Sequence, residues 1–146
     1  MNEVQLFSAD LTTLLARPVA DGGIRAGFPS PAQDYLEKSI DLNRDLITNP
    51  AATFYGRVLG DSMIDADVHE GDLLVIDKSL DAKDGDMVVA FLDGEFTLKF
   101  LDMSLKASDI VQLRPANPAY PVIRVTSEMD FRIWGVVTYV IHKTRR

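Results

Sequence analysis

The chain contains no cysteine among its 146 residues. Disulfides are excluded, and a reducing compartment such as the cytoplasm is the expected location. No apolar run approaches the roughly 20 residues that span a bilayer, so no membrane association is expected. The N-terminus carries Glu3 and Asp10 and lacks a basic stretch, and so does not read as a signal peptide. Neither a Walker nor a dinucleotide glycine pattern occurs, which removes the phosphate-cradling loops. Histidine is scarce: His69 and His142 lack the paired ligands of a zinc site, and neither metal nor cofactor is expected. Positive charge is also short, with a net charge of −7. An acidic domain is repelled by phosphate backbones, so direct nucleic-acid binding is not expected. The basic tail His142, Lys143, Arg145 and Arg146 reads as a solvated end. Asp61, Asp65, Asp67, Glu70 and Asp72 read as a solvated acidic face. Any work near DNA would pass through a protein partner.

What is present fits a globular chain. Hydrophobic residues make up 47% of it, and the length suits one domain with a real core. Residues 1–26 read as an arm. Val4, Leu6, Leu11, Leu14 and Leu15 keep no long period, and Pro18 with Gly22-Gly23 breaks any helix. The arm is too short for a helix-turn-helix reader of DNA. Residues 27–146 form the domain proper. Ser30-Pro31-Ala32-Gln33 carries an N-cap, a first-turn proline and a capping box, with Ala32, Tyr35, Leu36 and Ile40 on one helical face. A second short helix starts at Asp41, uses Leu42, Leu46 and Ile47, and stops before Asn49-Pro50.

After Pro50 the pattern turns to strands: Thr53–Leu59, Leu73–Ile76, Met87–Leu92, Glu95–Leu101, Ile110–Arg114, Pro121–Thr126 and Phe131–Ile141. About seven short strands argue for a mainly β fold. Asp93-Gly94, between two of them, is a strong hairpin signal. The last run is apolar on both alternating faces, so a second copy of the chain is expected to cover one of them.

Two residues carry the chemistry. Ser62 lies in the turn Gly60-Asp61-Ser62-Met63, and Lys99 lies in the strand-like run Glu95-Phe96-Thr97-Leu98-Lys99-Phe100. A serine hydroxyl is a weak nucleophile until a neighbour takes its proton. A lysine can do so only as the neutral amine, which burial among groups such as Phe96, Leu98, Phe100 and Leu101 favours. Each residue alone also has an ordinary reading, Ser62 as a turn serine and Lys99 as a strand lysine with its ammonium in water.

The runs Ala26-Gly27-Phe28-Pro29-Ser30-Pro31-Ala32, Gly60-Asp61-Ser62-Met63-Ile64-Asp65, Gly71-Asp72-Leu73-Leu74-Val75-Ile76-Asp77 and Asp93-Gly94-Glu95-Phe96-Thr97-Leu98-Lys99 together resemble the UmuD/MucA group of the LexA-like self-cleaving Ser-Lys peptidases. The resemblance covers about residues 25 to 141. It implies Ser62 as nucleophile, Lys99 as general base, and a scissile bond between Ala26 and Gly27. The backbone N–H groups of Asp61 and Ser62 are the expected oxyanion donors. It also implies a homodimer, a RecA filament on single-stranded DNA as the stimulus, and a UmuC-like Y-family polymerase as the partner of the cleaved product. Two departures stand out. Ala26 replaces the cysteine common before the scissile glycine, as in LexA-like and MucA-like members. Phe100 replaces a second lysine, on the face opposite Lys99. The competing expectation is a non-catalytic β-rich interaction module in which Ser62 and Lys99 are relics.

Overall fold

The computed structural model describes residues 3–12, 16–19 and 38–145. Their packing divides into two units, Met1–Ala9 with Ala51–Arg146, and Asp10–Pro50. Ten strands follow in chain order: β1 (Val4–Ser8), β2 (Ala16–Val19), β3 (Lys38–Asp41), β4 (Thr53–Val58), β5 (Leu73–Asp77), β6 (Met87–Leu92), β7 (Glu95–Asp102), β8 (Val111–Arg114), β9 (Ile123–Val125) and β10 (Phe131–Ile141). In the first unit eight of them form one antiparallel sheet in the order β1-β4-β5-β10-β6-β7-β8-β9. A mainly β fold with few and short helices is what the sequence pattern predicts.

Local chemistry explains the joints. Asp93 (φ 48°) and Gly94 (φ 88°) are both left-handed, the backbone that a two-residue turn between β6 and β7 requires. The turn sets the register, pairing Val88 with Lys99 and Ala90 with Thr97. β5 is buried along most of its length, as its unbroken Leu-Leu-Val-Ile run demands of a central strand. β10 lies between β5 and β6 and bends at two register shifts, Ile133/Gly135 and Val137/Tyr139.

The core forms two clusters. One gathers Val4, Val58, Met63, Val68, Leu74, Ile76, Val89 and Leu98. The other gathers Val88, Ala90, Leu101, Leu113 and Val136. Much of the apolar character of β10 is satisfied between them. Trp134, Val137 and Val140 pack on the first cluster, and Phe131 and Ile133 on the second. Only toward its end do Tyr139 and Ile141 stay exposed.

In the second unit β2 and β3 pair as an antiparallel ribbon, followed by helix α1 (Leu42–Leu46). The Asp41 carboxylate caps α1 by accepting from Asn43 N–H at 3.0 Å, as expected of a helix starting there. The helix expected from Ser30 falls largely on residues outside those described. Its far end is not helical, since Ile40 belongs to β3.

One acidic residue departs from the solvated reading. Asp72 is buried, accepting from the His69 amide at 2.9 Å and pairing with the His142 ring at 2.5 Å. His142 is tied to Asp72, while it and the following Lys143, Thr144 and Arg145 stay exposed, as expected of a solvated end.

Candidate active site

The serine turn begins where β4 ends. Gly60, at φ 80°, takes a backbone that a side chain would strain, and the chain reverses into Asp61-Ser62-Met63. Met63 is buried in the first core cluster and pins the turn from below. A 3-10 turn over Ile64–Ala66 follows. The segment before β9 grips the same turn from the side. Ala116 N–H donates to the Ser62 carbonyl at 2.8 Å, and Asp65 N–H donates to the Ala116 carbonyl at 2.8 Å. Asn117 Nδ2 donates to the Asp61 carbonyl at 3.0 Å, and the Tyr120 hydroxyl donates to Asp61 Oδ1 at 2.6 Å. That bond, with some burial and the negative charges of Asp61 and Glu3, raises the Tyr120 phenol above its ordinary value.

Lys99 arrives from β7. Lys99 Nζ lies 3.2 Å from Ser62 Oγ, and the two residues are only 3% and 4% exposed. Lys99 Nζ also donates to Thr97 Oγ1 at 2.9 Å and to the Leu98 carbonyl at 3.1 Å. Thr97 is two residues before Lys99, so strand alternation puts both on one face. Phe100, on the other face, packs at the edge of the first core cluster. The expected pair therefore lies together, inside the protein.

A third group meets Lys99 that the sequence did not suggest. The Glu3 carboxylate accepts from Lys99 Nζ at 2.5 Å, from the Thr97 hydroxyl, and from Leu98 N–H at 3.3 Å. Burial pushes the Glu3 carboxyl up. Hydrogen bonds from Lys99, Ser62 and Thr97, with the lysine's charge, outweigh that and hold it below its ordinary value.

Beside this cluster opens a cleft walled by Leu59, Leu92, Pro121 and Ile123, with Glu3, Thr97, Lys99 and Tyr120 on its floor and sides. Glu95 also lines the cleft, which thus brings apolar walls up to the Lys99 amine and the Thr97 and Tyr120 hydroxyls. Ala26 and Gly27 lie outside the described residues. Among the described residues no group of three or more His, Cys, Asp or Glu is arranged to hold a metal ion, and no helix is long and apolar enough to cross a membrane.

Thr97 was legible from alternation once Lys99 was singled out. Asn117 and Tyr120 carried only an Asn-Pro turn signal, and Glu3 carried none.

Known proteins resemble this chain over most of its length. Residues 18–138 match the Peptidase S24-like family. Protein SamA of Salmonella typhimurium is 49% identical over 82% of this chain and 81% of its own length. Protein ImpA of Escherichia coli is 45% identical over 88% of this chain and 86% of its own. Protein MucA of Escherichia coli is 42% identical over 80% of this chain and 77% of its own. A match across most of the eight-stranded unit, with the buried serine and lysine inside it, makes the chain a member of the Peptidase S24-like family.

Proposed function

We propose that this chain is a serine peptidase that cuts itself once, between Ala26 and Gly27. The product, residues 27–146, then serves as an accessory subunit of an error-prone Y-family DNA polymerase in the SOS response to DNA damage. The chemical half of this reading is carried by one observation, the 3.2 Å hydrogen bond between Lys99 Nζ and Ser62 Oγ, both residues being buried. The biological half is supported by likeness to SamA, ImpA and MucA and by the UmuD-like motifs.

The neutral Lys99 amine takes the Ser62 proton, and Ser62 Oγ adds to the Ala26 carbonyl. The Asp61 and Ser62 amides, which donate to no acceptor among the described residues, receive the oxyanion. Collapse breaks the Ala26–Gly27 bond as the Lys99 ammonium returns its proton to the departing Gly27 nitrogen. Water, deprotonated by the same amine, hydrolyses the Ser62 ester and releases residues 1–26 with a new carboxylate at Ala26. Ala26 and Gly27 suit this because neither side chain obstructs a close approach to the serine.

Cleavage therefore speeds up as pH rises, since only the uncharged amine is a base. The protein is incubated from neutral to alkaline pH and its products are weighed. A break after Ala26 that vanishes in both Ser62→Ala and Lys99→Ala, by about a thousandfold or more, is the expected result. No break at any pH, even with an activated RecA filament on single-stranded DNA, favours the relic-dyad interaction module. The same reading places the protein in the cytoplasm as a homodimer, with a UmuC-like polymerase as the product's partner. A monomeric mass in sedimentation at micromolar concentration counts against the dimer.

A further inference from the structure

Val4–Ser8 is part of the peptidase sheet, and Glu3 just before it reaches the buried amine. β1 is one of the sheet's two edge strands, pairing with β4 from Val4↔Val58 to Ser8↔Phe54. The seat is shaped for it. Gly56 faces β1, and a Cβ there would stand 2.7 Å from Val4 Cγ1 and 3.0 Å from Ile76 Cδ1. Val4 fills that space and is 3% exposed. One residue earlier, the Glu3 backbone spans the site. Its N–H donates to the Phe96 carbonyl on β7 at 2.9 Å, and its carbonyl accepts from Leu59 N–H, just past β4, at 2.8 Å. The Glu3 side chain is thereby aimed at Lys99 Nζ, 2.5 Å away.

We propose that Glu3 is an autoinhibitory latch: seated by β1, its carboxylate holds Lys99 as the ammonium, and self-cleavage waits until this strand leaves the edge of β4. An ammonium has no lone pair with which to take the Ser62 proton, so the latched site is idle. The proposal rests on the peptidase reading above. Glu3 and β1 lie outside the stretch 18–138 that matches the family. The other ionisable groups facing the cleft are Glu95 from β7 and Tyr120 from the segment before β9, with Asp61 behind the tyrosine hydroxyl. Among the residues lining it, Lys99 is the sole cation and Glu3 the one acid hydrogen-bonded to it.

The test uses the full chain and two readouts. Glu3→Gln keeps the shape of the side chain and removes its charge. At neutral pH this variant is expected to cleave itself about tenfold or more faster than the wild type, with the rise of its rate with pH beginning at a lower pH. Independently of cleavage, the Glu3 carboxyl carbon is followed by NMR in a Ser62→Ala background. Its titration should move up when Lys99→Met is added to that background. Equal cleavage rates for wild type and Glu3→Gln overturn the latch. So does a Glu3 carboxyl that ignores Lys99→Met. If the carboxyl responds but neither wild type nor Glu3→Gln ever cuts, the peptidase reading falls and the ion pair alone stands.

Discussion

At the scale of single residues, the site depends on how firmly the serine turn is held. Ser62 gains its position from contacts made by its neighbours: Met63 buried beneath, and Asp61 gripped by Asn117 and Tyr120 from the segment before β9. Removing one hydroxyl tests this. Tyr120→Phe keeps the ring in the cleft wall and drops only the bond to Asp61. Self-cleavage should slow by about 3- to 10-fold without loss of fold, read from product mass against time. The raised Tyr120 phenol gives a pH corollary. A group whose value is raised on folding contributes below its ordinary value and loses that contribution as pH rises through the higher one. The brace therefore persists past the ordinary tyrosine range. In a phenolate absorbance titration, Tyr120→Phe should remove a step lying above that range. These contacts also mark the limit of sequence reading. Ser62 and Lys99 stood in recognisable runs; Thr97 was not singled out, though strand alternation places it on the face of Lys99. Glu3 is 96 residues from Lys99 in the chain and sits in no periodic pattern, so only the fold brings the two together.

Among the elements, every strand from Thr53 onward was legible. Each is a short run rich in apolar residues, unbroken in β5 and apolar on both faces in β10. β1 escaped notice because Val4-Gln5-Leu6-Phe7-Ser8 is short and its partner β4 is about fifty residues away. β2 carries Pro18, which by itself argues against a strand, yet it forms a two-stranded ribbon with β3. Two substitutions probe the sheet. At Gly135, where β10 shifts register, a Cβ would meet Ile76 Cγ2 at 2.5 Å and the Asp77 carbonyl at 3.4 Å. Gly135→Ala should lower stability by about 1–3 kcal/mol, seen as an earlier denaturant midpoint with unchanged slope. At the end of β7, Asp102 binds the Ser104 hydroxyl and amide and the Arg114 side chain, which hold its carboxyl down at about 2. A lowered carboxyl stabilises fully above its ordinary value of 3.8 and loses that contribution as pH falls through about 2. Between those values the wild type should lose its stability advantage over Asp102→Asn, measured as the difference in unfolding midpoints.

For the molecule as a whole, the proposed cut has a consequence for the sheet. β1 lies within residues 1–26, so a break after Ala26 leaves one edge strand of the eight without a covalent tether. What could draw it back to its seat is five backbone register pairs, the buried Val4, the partly buried Leu6 and the Glu3–Lys99 pair. Such a short strand cannot offset the translational freedom gained on release, which association models put at 4–15 kcal/mol. The released segment should therefore leave at micromolar concentration. Three changes that the latch requires before the cut then become permanent: the edge of β4 loses its partner, the slot opposite Gly56 empties, and Lys99 loses its counter-ion. An unpaired strand edge is a template for another chain. The cleaved product would thus present a β4 edge that the intact protein covers with its own arm. Native mass spectrometry should find residues 27–146 free of the 1–26 fragment. Hydrogen exchange should show the outward-facing β4 amides losing protection upon cleavage, while those shared with β5 keep theirs. If the fragment stays bound and β4 remains protected, cutting the backbone does not open this edge, and any partner of the product must dock on a surface that the uncut chain already displays.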